Sequence, residues 1–116
     1  MTKLITTMAV LIGLMAISTG KTVNMSWYGP KYDGRPTSSG QIYDHRKLTC
    51  ASWDYPLGTK LRLTHGPKSI VVIVNDRGPA KHLLGTRQLD ASLGAYRLLA
   101  DPASGILKNV KVEVIK

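Results

Sequence analysis

Leu61 and Leu63 alternate with Lys60, Arg62 and Thr64 between Thr59 and His65. A period of two puts the leucines on one face and the polar residues on the other, which predicts a half-buried strand. His65-Gly66-Pro67-Lys68 is turn material, and the β-branched run Ile70 to Val74 beyond it predicts a second strand, so the two read as a hairpin. Val110, Val112 and Val114 alternate with Lys111 and Glu113 and predict a strand reaching Ile115. Val23 to Tyr28 reads as a short strand stopped by Gly29-Pro30, and Gln41 to Tyr43 as a brief one. The stretch between them, Lys31 to Gly40, has the Gly, Pro, Ser and Asp content of a loop. One helix is expected over Ala91 to Ala100, with Asp90 as its N-cap and Asp101-Pro102 as its stop. Many short strands, Gly/Pro turns and a single short helix predict a mainly β fold arranged as a small barrel.

The first 20 residues depart from this pattern. Lys3 is their only charge, and the apolar run Leu4 to Ile17 is broken only by threonines and a glycine before Ser18-Thr19-Gly20. A basic start, a short apolar region and small residues at its end predict a signal peptide over residues 1–20 and one domain over residues 21–116. The apolar run is shorter than the roughly 20 residues a spanning helix needs, so stable membrane insertion after cleavage is not expected. The predicted location is therefore outside the cytoplasm, in the periplasm or at the cell wall.

Composition narrows the chemistry. The formal net charge is +9, spread along the chain rather than gathered in one block. Such a surface attracts polyanions, and export makes an anionic envelope polymer the expected partner rather than nucleic acid. Cys50 is the single cysteine, so no intrachain disulfide forms, and its uncharged neighbours predict a buried small hydrophobe. His45, His65 and His82 are far apart and no metal-ligand spacing joins them, so neither a metal nor another cofactor is expected. A monomer is expected.

The apolar strand ends abruptly in Val74-Asn75-Asp76-Arg77-Gly78-Pro79. A single carboxylate is thereby delivered into a loop, either to tie the turn down through backbone N–H groups or to act as an acid. Continued alternation places Asn75 and Arg77 on the face opposite Asp76. Trp27, Tyr28 and Trp53 are flat amphipathic rings suited to stacking on a pyranose, or to packing the core.

The segments Ser26-Trp27-Tyr28-Gly29, Gly34 to Gly40, Tyr43-Asp44, Leu48-Thr49, Pro56 to Thr59, Val74 to Pro79 and Leu89 to Ser92, in this order, resemble the rare lipoprotein A-like double-psi β-barrel family, whose barrel also occurs in expansins. The resemblance implies a six-stranded double-psi barrel with one or two short helices. It also implies a peptidoglycan lytic transglycosylase, which cuts the bond between N-acetylmuramic acid and N-acetylglucosamine and leaves a 1,6-anhydro end. Asp76 matches the family's candidate acid, and Asp90 its second recurrent acid, which can equally be a helix cap. Ser52, Tyr43, Trp27, Tyr28 and Arg77 are the expected substrate-contact residues. One departure stands out: Ser52 occupies the place of the family's histidine, and a hydroxyl does not titrate near neutral pH as imidazole does. That departure leaves open a non-catalytic, expansin-like role in gripping a wall polysaccharide.

Overall fold

The computed structural model describes residues 20–116, so the expected signal peptide lies, but for Gly20, outside the described residues. Six strands close into one barrel: β1 (Lys21–Tyr28), β2 (Thr49–Ala51), β3 (Lys60–His65), β4 (Lys68–Asp76), β5 (Leu89–Ser92) and β6 (Leu107–Ile115). Their order around the barrel is β1-β5-β2-β4-β3-β6. The β1/β5 and β2/β4 pairs are parallel and the other pairs antiparallel. Among the described residues one α-helix, α1 (Leu93–Leu99), follows β5 directly, and three single-turn 3₁₀ segments sit in the connections. Among the described residues no helix is long and apolar enough to cross a membrane.

The predicted hairpin is present, with Leu63 opposite Ile70 and His65 opposite Lys68. Gly66 supplies the positive φ of 58° at the first loop position, a conformation that favours glycine. Leu61 and Leu63 face inward and meet Val72, Val74, Met25, Leu89, Val110 and Val112 in the barrel core, which Tyr96 of α1 closes at one end. Cys50 is fully buried in the same core, as its neighbours predicted.

Three local expectations are corrected. Gln41 to Tyr43 makes only an isolated bridge, Pro36 to Ile42, because no neighbouring strand continues the ladder there. Thr49–Ala51 and Leu89–Ser92 are strands although neither carries a readable period, since three and four residues are too few to show one. The helix cap is Ser92 and not Asp90: Ser92 has extended backbone angles, and its hydroxyl accepts the Ala95 N–H at 3.2 Å. The same hydroxyl donates to the Lys47 carbonyl at 2.6 Å and so ties the start of α1 to the loop before β2.

That junction is closely packed. The Gly94 N–H donates to the His45 carbonyl at 2.7 Å, and a Cβ at Gly94 would lie 2.8 Å from the carbonyl oxygens of His45 and Arg46. Gly94→Ala is expected to destabilise the protein by about 1–3 kcal/mol even though alanine is the better helix former by about 1 kcal/mol. Urea denaturation checks this, and an unchanged or raised midpoint would contradict the packing argument.

Candidate active site

The barrel register assembles a row of residues across one end. Ser26 of β1 pairs with Asp90 of β5, Asp90 pairs with Ala51 of β2, and Ala51 pairs with Asp76 of β4. With neighbouring strands about 4.8 Å apart, the two acids stand on backbones roughly 10 Å from each other. Between them is only the methyl group of Ala51. The small residue leaves the space open, and Asp76 and Asp90 line one cleft of about 250 Å³ together with Tyr28, Tyr43 and Ala51.

A bulge sets the direction of Asp76. Under strict alternation it would share the inward face of Val72 and Val74. The β2/β4 register shifts by one residue between the Cys50–Val74 and Ala51–Asp76 pairs, with Asn75 as the extra residue. Asn75 is buried, and the parity change turns Asp76 outward to the cleft. The alternation expected through residue 77 therefore fails at Asn75.

Asp76 ties the turn down through backbone N–H groups, the first of the two roles left open by its sequence. Its Oδ1 accepts the N–H of Ser38 at 3.0 Å, the hydroxyl of Ser38 at 2.9 Å and the N–H of Arg77 at 2.9 Å. Those bonds clamp the loop carrying Ser38 onto the end of β4. Among the described residues, Oδ2 receives none. One oxygen organises the loop while the other remains available at a half-buried position facing the cleft.

Asp90 sits in a different environment. Burial raises its pKa from the ordinary 3.8 to about 6, against the opposing pull of the Ser26 hydroxyl and Arg87, with the nearby Asp76 charge adding to the rise. The Ser26 hydroxyl donates to Oδ1 at 3.1 Å. Asp90 thus keeps its proton closer to neutral pH than an ordinary carboxyl group does.

The aromatic residues form the wall beneath and beside the acids. Tyr43 is buried, donates its hydroxyl to the Tyr28 carbonyl at 2.6 Å and stacks on the Tyr28 ring at 4.2 Å between centroids. Its role is to hold Tyr28 in place. The Tyr28 ring faces the cleft, and its hydroxyl is buried with no hydrogen-bond partner among the described residues. Burial also drives the pKa of that hydroxyl far up, so it stays a donor. Trp27 is fixed by its indole N–H to the Pro102 carbonyl at 2.9 Å and leans on Tyr96. Both Trp27 and Tyr28 line a second cleft of about 520 Å³ that adjoins the first and shares Asp90, Tyr28 and Tyr32 with it. Trp53 is exposed at the rim, with its indole N–H on the Pro79 carbonyl at 2.6 Å and the Lys81 ammonium 4.6 Å from its ring.

Two expected contact residues are corrected. Ser52 is fully buried; its N–H donates to the Asp76 carbonyl and its hydroxyl accepts the Asp54 N–H, so it braces the loop from below and meets no ligand. Arg77 spends its guanidinium on the carbonyls of Ser52 at 2.8 Å and Tyr55 at 2.6 Å, which makes it a strut between two loops. Ser38, which holds Asp76, and Ser26, which holds Asp90, are not among the residues expected at the site. Both lie within the motifs that carried the family resemblance, but a serine in a loop or strand has no periodicity that marks it.

One cluster lies away from the clefts. Asp33, Asp44 and His45 bring ligand-type atoms within 4.8 Å of one another. Their groups already have protein partners: Arg46 makes a two-point contact with Asp44, and His45 Nδ1 lies 2.6 Å from Asp33.

A closed six-stranded barrel with this strand order is a double-psi β-barrel. The family model described as "Lytic transglycolase" matches residues 20–112, and the chain belongs to that family. It is 38% identical over 93 residues to a probable endolytic peptidoglycan transglycosylase RlpA of Synechocystis sp., covering 78% of this chain and 28% of that protein. It is 39% identical over 97 residues to the endolytic peptidoglycan transglycosylase RlpA of Neisseria meningitidis serogroup A, covering 82% of this chain and 39% of that one. The chain thus spans well under half the length of these curated relatives. Among solved structures, Streptomyces papain inhibitor superposes with a TM-score of 0.68 at 20% identity, over 86% of this chain and 97% of that one. A Clavibacter michiganensis expansin in complex with cellohexaose superposes at 0.66 and 16% identity, over 84% of this chain and 50% of that one. Both structural likenesses are of fold.

The raised Asp90 pKa has a consequence for stability. Between the unfolded value near 4 and the folded value of about 6, the folded protein keeps a proton that the unfolded chain has released. Stability is therefore expected to fall as pH rises through that window and to level off above it. Asp90→Asn should flatten the slope and raise stability at pH 7 by about 1–3 kcal/mol, read from denaturant melts at pH 4 to 7. A wild-type curve that rises across the window would refute the assignment.

Proposed function

We propose that this protein is an exported peptidoglycan lytic transglycosylase that cleaves the glycosidic bond from N-acetylmuramic acid to N-acetylglucosamine and forms 1,6-anhydro-muramyl ends. The observation that carries the reading is the pair of carboxyl groups held apart by Ala51 in unlike surroundings at one open cleft. A pair whose environments differ in this way supports separate acid and base duties. The family membership and the names of the relatives point to the same substrate, and the expected export follows from the sequence of residues 1–20.

Asp90 in its protonated form gives the proton to the leaving glycosidic oxygen as the anomeric carbon takes on oxocarbenium character. The C6 hydroxyl of the same muramyl residue then closes on that carbon. Its proton passes to the free oxygen of Asp76. After the products leave, Asp76 releases its proton to solvent and Asp90 takes one up, which restores both carboxyl groups. No water enters the bond-breaking step, and no metal or organic cofactor is invoked. The protein works as a monomer in this scheme, since both carboxyl groups come from one chain.

Asp90→Asn and Asp76→Asn are each expected to reduce release of anhydro-muropeptides from purified sacculi by about 10²-fold or more, while both variants stay folded by circular dichroism. Full activity in either variant removes that residue from the chemistry. The buried Ser52 in place of the family's histidine favours a second reading, in which the barrel grips wall polysaccharide without cutting it. Under that reading the wild-type protein binds sacculi, and mass spectrometry finds no new 1,6-anhydro ends.

A further inference from the structure

Arg87 is the one arginine at the clefts whose burial lacks an evident purpose. Its Nε is buried without a hydrogen-bond partner among the described residues, and the guanidinium joins no ion pair there. The contrast with Arg77, satisfied by two carbonyls, and Arg46, held on Asp44, is direct. The Nε itself is sealed from solvent, but the terminal nitrogens also lack a hydrogen-bond partner among the described residues, and Arg87 lines the cleft, so they are the donors open to a ligand bearing an acceptor. The backbone around Arg87 is well fixed. Gln88 and Thr86 on either side are hydrogen-bonded to Asn24 of β1, so the side chain projects from a rigid corner.

Arg87 lines the second cleft beside Asp90, opposite Lys31. The first cleft has Arg77, whose guanidinium is committed to two carbonyls, and Arg35, which is exposed over the Tyr32 ring at 5.2 Å from its centroid, as Lys31 is at 5.1 Å beside the second cleft, so Arg87 is what sets the two apart. The two clefts therefore differ in the group each is prepared to receive. The two sugars of the proposed substrate also differ in one group: the muramyl residue carries a lactyl ether ending in a carboxyl function, and N-acetylglucosamine does not. A planar guanidinium matches a carboxylate by paired N–H donors.

We propose that Arg87 receives the lactyl carboxyl group of the muramyl residue and so fixes the direction in which the glycan crosses the acids, with the muramyl residue in the second cleft and the departing N-acetylglucosamine in the first. Lys31 adds a second, exposed positive charge at the mouth. The inference rests on the proposed function and deepens it, since a groove read in the opposite direction would bring the wrong anomeric bond to Asp90.

Calorimetry on the Asp76→Asn protein separates the two levels. The ligands are a peptide-free tetrasaccharide of alternating N-acetylglucosamine and N-acetylmuramic acid, and chitotetraose, which lacks the lactyl groups. The muramyl ligand is expected to bind about tenfold or more tightly than chitotetraose, as a charge-assisted pair allows. Adding Arg87→Gln should bring the two affinities within about twofold while leaving chitotetraose binding unchanged, and Arg87→Lys should restore part of the preference. The idea is overturned if Arg87→Gln keeps the full preference, or if it weakens both ligands equally, as a merely structural residue would. If Asp76→Asn binds neither saccharide, the glycan-groove reading itself fails and the orientation falls with it. If it binds both equally, the groove stands and only the assignment of Arg87 is lost.

Discussion

Ala51 is the point on which the cleft depends. Its strand, β2, has three residues and is squeezed between β5 and β4, one partner antiparallel and one parallel. That double pairing brings the end of β4 and the start of β5, consecutive in the chain but not paired with each other, to the same rim, each carrying an aspartate. A larger side chain at Ala51 would occupy the gap between them. The short strand is stabilised by what surrounds it: Cys50 packs in the core, the Ser52 N–H reaches the Asp76 carbonyl, and the Ile73 N–H reaches the Leu48 carbonyl. The precision of the site thus comes from backbone pairing, with side chains of neighbouring loops fastened onto it.

The fastening is economical in residue types. Two serines, Ser26 and Ser38, each donate to one of the acids, and a third, Ser92, ties the helix start to the loop before β2. Arg77 braces the loop from Ser52 to Tyr55 against the end of β4. Small hydroxyls suit this work because they lose little rotamer freedom and can donate and accept at once. The acids are consequently held by short, direct bonds rather than by long ion pairs. The ion pairs of the described residues, such as Lys21 with Asp54 and Arg46 with Asp44, lie at exposed positions, where they are worth little.

Much of the barrel was legible before the coordinates. β3, β4 and β6 are long enough for a period of two to show, and Gly66-Pro67 marks their hairpin. β2 and β5 were not legible, because each is specified by distant partners rather than by its own pattern. That gap explains the misplaced cap: with β5 unseen, Asp90 looked like the residue before a helix, although the helix starts two residues later. The aspartates themselves were visible through motif order. Their unlike surroundings were not, since the burial of Asp90 and the bulge at Asn75 arise only when the sheet closes. Ser52 and Arg77 were misread for a related reason. Adjacency to a motif residue does not say what a group bonds to: Ser52 is sealed beneath the loop, and Arg77, although it lines the first cleft, commits its guanidinium to the carbonyls of Ser52 and Tyr55. Arg87 gave no signal at all among cations spread along the whole chain.

Cys50 is sealed inside the barrel, and burial pushes its thiol up to about 12. A thiol that neither ionises nor meets solvent is a poor reactant for disulfide exchange. The folded barrel is therefore indifferent to the redox state of its surroundings. It needs no oxidase to mature and no reductant to remain free of covalent dimers.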